Sequence, residues 1–340
     1  MLDEVCPGWE NGSSIQDRVS SIFQRRTVLD RPIYCYPPPP MNDAPLTQGR
    51  IARFWLPLAA TWLMMAVEGP FLAAIIARLA EPVYNLAAYG VAYAIALVME
   101  APVIMLMSAA TALARNRASY LRLRNFTHVL NVTVTALTAF TLLPPIFDRL
   151  ALDLIGLPPE VAGRTHLALL ILLPWPATIG LRRFYQGVLI RHDMTRRVAY
   201  GTVIRLATMT GTAAILALTT NVEGAAVGAA ALTAGVSAEA VAAWWMARSP
   251  VRSLLADGAD ATGAATSYAG LTRFYYPLAL TTMLSLGIQP VITFFVGNSR
   301  MAIESLAVLP VVSALVFIFR SLGLAYQEVV IALMGENEQG

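Results

Sequence analysis

From residue 51 onward the chain alternates long apolar runs with short polar breaks. A helix needs about 20 residues to cross a hydrocarbon core of about 30 Å, and each run is long enough. Eight runs, at about 51–79, 86–114, 125–147, 160–190, 194–219, 223–248, 271–297 and 306–334, predict eight membrane-spanning helices. Proline falls inside several of them, and Gly69, Pro70, Pro174, Pro176 and Pro290 are candidate helix breaks. A proline frees a backbone carbonyl, which lipid tolerates only where neighbouring protein or a watery cavity takes it up. Simple kinking is the competing reading.

The arginines outside the runs give an orientation. Twelve fall on one side and four on the other, so the positive-inside rule predicts cytoplasmic termini for a multi-pass protein of the cell's inner (plasma) membrane.

The runs also repeat. Arg53-Phe54-Trp55-Leu56-Pro57-Leu58-Ala59 returns 220 residues later as Arg273-Phe274-Tyr275-Tyr276-Pro277-Leu278-Ala279. Without a gap, Pro70 then meets Pro290, Leu86-Ala87 meets Leu306-Ala307, and Ala112-Leu113 meets Ala332-Leu333. Six runs lie in each period, so both copies enter from the same side and form a parallel repeat. The second copy ends after two runs, and the chain reads as the first 8 helices of 12.

Composition changes the picture little. With 57% hydrophobic and 13% charged residues and a mean hydropathy of +0.60, a water-soluble globule is excluded. The net charge of +3 and the lack of a basic block interleaved with aromatics argue against a nucleic-acid partner. The lipid bilayer is the partner that composition requires. Cys6 and Cys35 both precede the first run and staple nothing within it. Residues 1–50 carry scattered charge and Pro37-Pro38-Pro39-Pro40 and read as a disordered tail, with Met41 favoured as the true start and residues 1–40 as an over-extended gene start. The remaining division is a six-helix lobe at 51–248, a cytoplasmic linker at 249–270, the first two helices of a second lobe at 271–334, and a tail at 335–340.

Several stretches resemble a known superfamily. Phe184-Tyr185-Gln186-Gly187, followed by a small basic turn through Arg191 to Arg196, is similar to the loop after the fourth helix of the multidrug/oligosaccharidyl-lipid/polysaccharide (MOP) exporters. Glu223-Gly224-Ala225-Ala226-Val227-Gly228 resembles the opening of their sixth helix. Pro174-Trp175-Pro176, with Arg182 following, and Leu86-Ala87-Ala88-Tyr89-Gly90-Val91-Ala92-Tyr93 are similar to motifs of the progressive ankylosis branch. The resemblance covers about residues 51–334. It implies an all-α, MATE-like fold, two six-helix lobes in a V around a central cavity, and alternating access. It also implies substrates ranging from drugs to lipid-linked sugars and, for the ankylosis branch, small anions such as pyrophosphate, ATP or citrate. The chain departs from the pattern by lacking the last four helices, so a missing C-terminal half or a second chain is an expected partner. A non-transporting, assembly-dependent membrane protein is an alternative.

A charge near the bilayer centre costs about 3 kcal/mol, so each one needs a partner or a cavity. Glu68 precedes Gly69-Pro70 directly, and no basic residue shares its depth on the first two helices. Glu100 lies beside Pro102, Arg182 and Arg183 lie in the fourth helix, Arg205 in the fifth, and Arg320 in the middle of the eighth. Gln186, from the resembling turn, completes the candidate substrate or ion ligands. Glu100 plus 220 is Arg320, so the two occupy equivalent places, and an interlobe ion pair there would act as a gate. The competing reading is a static pair within one lobe, Glu100 with Arg205 or Arg182. Four in-span arginines against Glu68, Glu100, Glu239 and Glu328 make a neutral interior. That balance favours an anionic small molecule or lipid-linked anion, coupled to protons or cations at Glu68, over cationic-drug export. Enzymatic chemistry is not expected, because His128, His166 and His192 sit at helix ends and no H-x-x-x-H or C-x-x-C spacing occurs. No cofactor and no metal is predicted.

Overall fold

The computed structural model describes residues 48–192, 194–256 and 267–334. Cys6, Cys35, the proline run, Met41 and the 335–340 tail lie outside them. Within the described residues the protein is all-helical, with α1 Gln48–Ala66, α2 Glu68–Ile76, α3 Pro82–Ile104, α4 Leu106–Leu113, α5 Arg117–Thr141 and α6 Pro144–Asp148. A π-helical turn, Arg149–Leu154, leads into α7 Pro159–Ile171, α8 Trp175–Arg191, α9 Thr195–Thr219 and α10 Gly224–Met246. The chain continues through α11 Arg248–Ala256, α12 Tyr268–Gly297 and α13 Ala302–Met334.

Among the described residues, six helices are long and apolar enough to cross a membrane, and a seventh if α5 and the segment Pro144–Leu154, bent by 73°, count as one span. The first predicted span, about 51–79, is covered by α1 and α2. The two helices meet at Val67, and the apolar stretch Trp62–Ile76 crosses that junction. The physical cause of the junction is Gly69-Pro70: Pro70 cannot donate to the Ala66 carbonyl, and glycine weakens the same turn. The stretch 249–270, expected as a linker, begins as α11.

The candidate breaks divide into two groups. Pro174 and Pro176 sit where α7 gives way to α8, and Gly69 and Pro70 sit one turn beyond Val67. Pro290 breaks nothing, since α12 runs unbroken from Tyr268 to Gly297. Its neighbour is Gln289, a good helix former, where the first copy has Gly69. Freed carbonyls are taken up by protein: Thr233 Oγ1 donates to Ile171 O at the α7–α8 break at 3.1 Å.

The core is built on α3 and α10. Alanine and glycine along α10 let neighbouring backbones come close, so that a Cβ on Gly235 would stand 3.0 Å from Arg205 O in α9. Asn85 anchors the start of α10, its Oδ1 accepting from Ala225 N–H at 3.1 Å.

The repeat has a counterpart in three dimensions. Trp55 Nε1 in α1 donates to Leu322 O in α13 at 3.4 Å, and the Tyr275 hydroxyl in α12 donates to Pro102 O in α3. Adding 220 to Trp55 gives Tyr275 and adding 220 to Pro102 gives Leu322, so the two bonds are one contact made twice with the copies exchanged. Such reciprocity is the mark of a two-fold relation. Pro82, Val83 and Leu86 share a cavity of about 280 Å³ with Glu304, Ala307, Val308 and Val311. The N-terminal ends of α3 and α13 are therefore side by side and the helices run the same way. A two-fold axis that relates parallel helices runs along them, as a parallel repeat requires.

Candidate functional site

The buried charges converge where α2, α8, α9 and α10 meet. Arg182 and Gln186, one turn apart on α8, share a face and reach the same carboxylate. Arg182 Nη1 donates to Glu239 Oε2 at 2.6 Å, and Gln186 Nε2 donates to Glu239 Oε1 at 3.0 Å. Arg205 approaches from α9, with Nη1 3.7 Å from Glu239 Oε2 and Nη2 donating to Glu68 Oε2. The result is a chain of alternating charge, Glu68–Arg205–Glu239–Arg182, with two acids and two bases. Glu239 is 1% exposed and anchors the whole.

The local sequence makes room for it. Gly201, one turn before Arg205, places ordinary van der Waals space beside the Glu239 stem, where a Cβ would meet Cγ at 3.4 Å. Gly187 seats α8 on α4 so closely that a Cβ there would lie 2.4 Å from Met107 O. Gly180 does the same against Asn131, whose Nδ2 donates to Ala177 O at 3.2 Å.

The network is incompletely satisfied. Glu68 Oε1, Arg182 Nε and Arg205 Nε are buried without a hydrogen-bond partner. Glu100 is also buried, with Oε2 unpartnered, although Arg182, Arg183 and Arg205 all act on it electrostatically. Among the described residues Arg183 forms no ion pair with a carboxylate; Nη1 donates to Met107 Sδ at 3.7 Å and Nε is unpartnered.

The structure thus brings Glu68, Arg182 and Gln186 together, with Glu100 and Arg183 beside them. Arg320 stands apart, exposed on α13 and forming no ion pair with buried Glu100, so the two equivalent positions do not face each other. The static pairs expected for Glu100 are not made either, because Arg182 and Arg205 engage Glu239 and Glu68 instead. Glu68 is not without a base: Arg205 reaches it from the fifth span, which reading the first two spans alone misses. Glu239 is the residue that sequence reasoning counted but did not select. Its signal was the single acid in an Ala-rich span facing an Arg-x-x-x-Gln pair. Among the described residues no group of three or more His, Cys, Asp or Glu is placed to hold a metal ion.

No family model and no curated protein matches this chain. A solved structure does: the inward-facing conformation of a multidrug resistance MATE family transporter of the MOP superfamily, with a TM-score of 0.57 and 17% identity over 84% of this chain. The chain spans 66% of that protein's length. At this identity the likeness is one of fold, and the fold is MATE-like.

Proposed function

We propose that this chain is a membrane transporter working by alternating access, with the Glu68–Arg205–Glu239–Arg182 network as its coupling element. The carrying observation is the unpartnered Oε1 of Glu68 inside an otherwise balanced buried network. Uptake of a proton or small cation at Glu68 weakens its hold on Arg205 and leaves Glu239 to both arginines, a change felt across α2, α8, α9 and α10. Ionisable groups within membrane spans are costly and rare, and where they occur they mark ion or substrate pathways.

The proposed substrate is an anionic small molecule or a lipid-linked anion. Arg182 is engaged by Glu239, so Arg183, which forms no ion pair with a carboxylate among the described residues, is the guanidinium left for a phosphate or carboxylate. The stretches resembling the ankylosis branch support the same substrate class. The arginine-rich loops support a plasma-membrane location with cytoplasmic termini. Proteoliposomes bearing the full chain test the reading with labelled citrate and pyrophosphate. Arg183→Ala should abolish their movement, while Glu68→Gln should leave movement that no longer responds to the ion gradient. No gradient-driven movement of either anion by the unaltered chain overturns it.

One observation favours a second reading, export of cationic drugs: Glu100 is buried and its Oε2 has no hydrogen-bond partner among the described residues. Under that reading Glu68→Gln and Glu100→Gln remove export of ethidium and Arg183→Ala is silent.

A further inference from the structure

Where α9 begins and α10 ends, the protein carries a cavity of about 640 Å³. Arg197, Arg248 and Arg252 line it together with Tyr200 and Trp245, and no carboxylate is among the lining residues. Among the described residues none of these three arginines forms an ion pair. Three converging guanidinium groups without a counter-charge leave an anion's place open.

Two of the three arginines are held in place. Arg197 Nη1 donates to Met246 O at 2.7 Å, closing the end of α10, and Arg248 lies 3.9 Å over the Trp244 ring. From there α11 continues with Pro250 and Leu254 buried and Arg248, Ser249 and Arg252 outward, which presents the basic side to the surroundings. The aromatic residues fix the depth. Tyr200, Trp244 and Trp245 are exposed at the ends of two spans, and such amphipathic rings prefer the boundary between hydrocarbon and headgroups. Val203 and Val241, further into the same spans, are exposed as well and offer a path for apolar chains.

We infer that this cavity is a binding site for a phosphate-bearing anion, the phosphodiester headgroup of an anionic phospholipid seated among Arg197, Arg248 and Arg252. The guanidinium fork matches paired phosphate oxygens, and a basic pocket between spans at headgroup depth suits such a lipid. The site shares no lining residue with the buried network and does not depend on what the protein transports.

The test offers the full chain in mild detergent equal amounts of phosphatidylglycerol and phosphatidylcholine and reads retained lipid by native mass spectrometry. Phosphatidylglycerol should be retained in preference, and the preference should fall roughly fivefold for each arginine lost in Arg252→Gln and in Arg248→Gln with Arg252→Gln. Arg300→Gln, an exposed arginine on another loop, should keep it. Arg252 is exposed, so its single variant answers the question even if the double variant fails to fold. A parallel titration with inorganic phosphate, followed by tryptophan fluorescence, separates the sources. A response lost in Arg252→Gln, without preference between the lipids, assigns the site to free phosphate. Equal retention of the two lipids by the unaltered chain, together with no arginine-dependent phosphate response, overturns the inference.

Discussion

Gly90 and Pro310, 220 residues apart in the chain, touch: a Cβ added to Gly90 would lie 3.0 Å from two ring atoms of Pro310. They are also equivalent positions of the two copies. A two-fold operation carries each onto the other, so a residue in contact with its own equivalent must lie at the axis. The Trp55–Leu322 and Tyr275–Pro102 bonds then flank that axis as a matched pair. Gly69, whose Cβ would come within 2.9 Å of Ala314 Cβ, brings α2 close to α13 as well.

The Gly90–Pro310 contact should be sensitive to a single methyl. Gly90→Ala should lower stability by about 1–3 kcal/mol through overpacking, and Pro310→Ala in the same chain should restore most of it. Thermal unfolding in detergent reads the cycle. Simple additivity of the two substitutions would show that the ring is not what the methyl meets.

Breaking the network at its centre should cost more than trimming its ends. Glu239→Ala leaves Arg182 and Arg205 without their shared carboxylate, a loss of about 3–5 kcal/mol for a buried pair. Gln186→Ala removes one hydrogen bond to a charged group and should cost about 1.5–3 kcal/mol. Unfolding midpoints of the two variants should rank in that order. Adding Arg182→Met to Glu239→Leu should recover part of the loss.

Two glycines of α8 should differ in how they can be rescued. A Cβ on Gly180 would meet the Asn131 side chain at 1.9 Å, so Gly180→Ala should destabilise strongly alone and much less in an Asn131→Ala chain. A Cβ on Gly187 would meet the Ala110 Cβ at 2.6 Å but also the Met107 carbonyl at 2.4 Å, which is backbone, so even Ala110→Gly should leave Gly187→Ala largely unrelieved. Folded yield from detergent extracts distinguishes the two.

Labelling tests the orientation. With Cys6 and Cys35 replaced by Ser, single cysteines at Arg117 and Arg196 should react only from the cytoplasmic side and one at Asp153 only from the other. Reaction of Asp153→Cys from the same side as Arg117→Cys would break the alternation of spans.

What could be read from the residues alone was what a single helix carries. Glu68 beside Gly69-Pro70, the Arg182-to-Gln186 spacing and the heading shared by Trp55 and Tyr275 are local patterns. The pairing of Glu68 with Arg205 is not, because it joins residues 137 apart on helices whose rotation about their axes only packing decides. The expected Glu100–Arg320 pair shows where symmetry reasoning slips. A two-fold relation turns equivalent side chains toward each other only at the axis, where Gly90 and Pro310 sit. Elsewhere each points into its own copy. Glu100 lies among the arginines of α8 and α9, whereas Arg320 is exposed on α13.

The matched hydrogen bonds of Trp55 and Tyr275 have one more property. Both acceptors are main-chain carbonyls, of Leu322 and Pro102, and a carbonyl is present whatever side chain its residue bears. Half of each latch is therefore written in the backbone and cannot be lost by substitution. Only the donors are constrained, to large rings that end in an N–H or O–H, and Trp and Tyr both meet that need. Two copies descended from one ancestral segment can drift apart in nearly every residue along this seam, Pro against Leu and Trp against Tyr, and still close it in the same way.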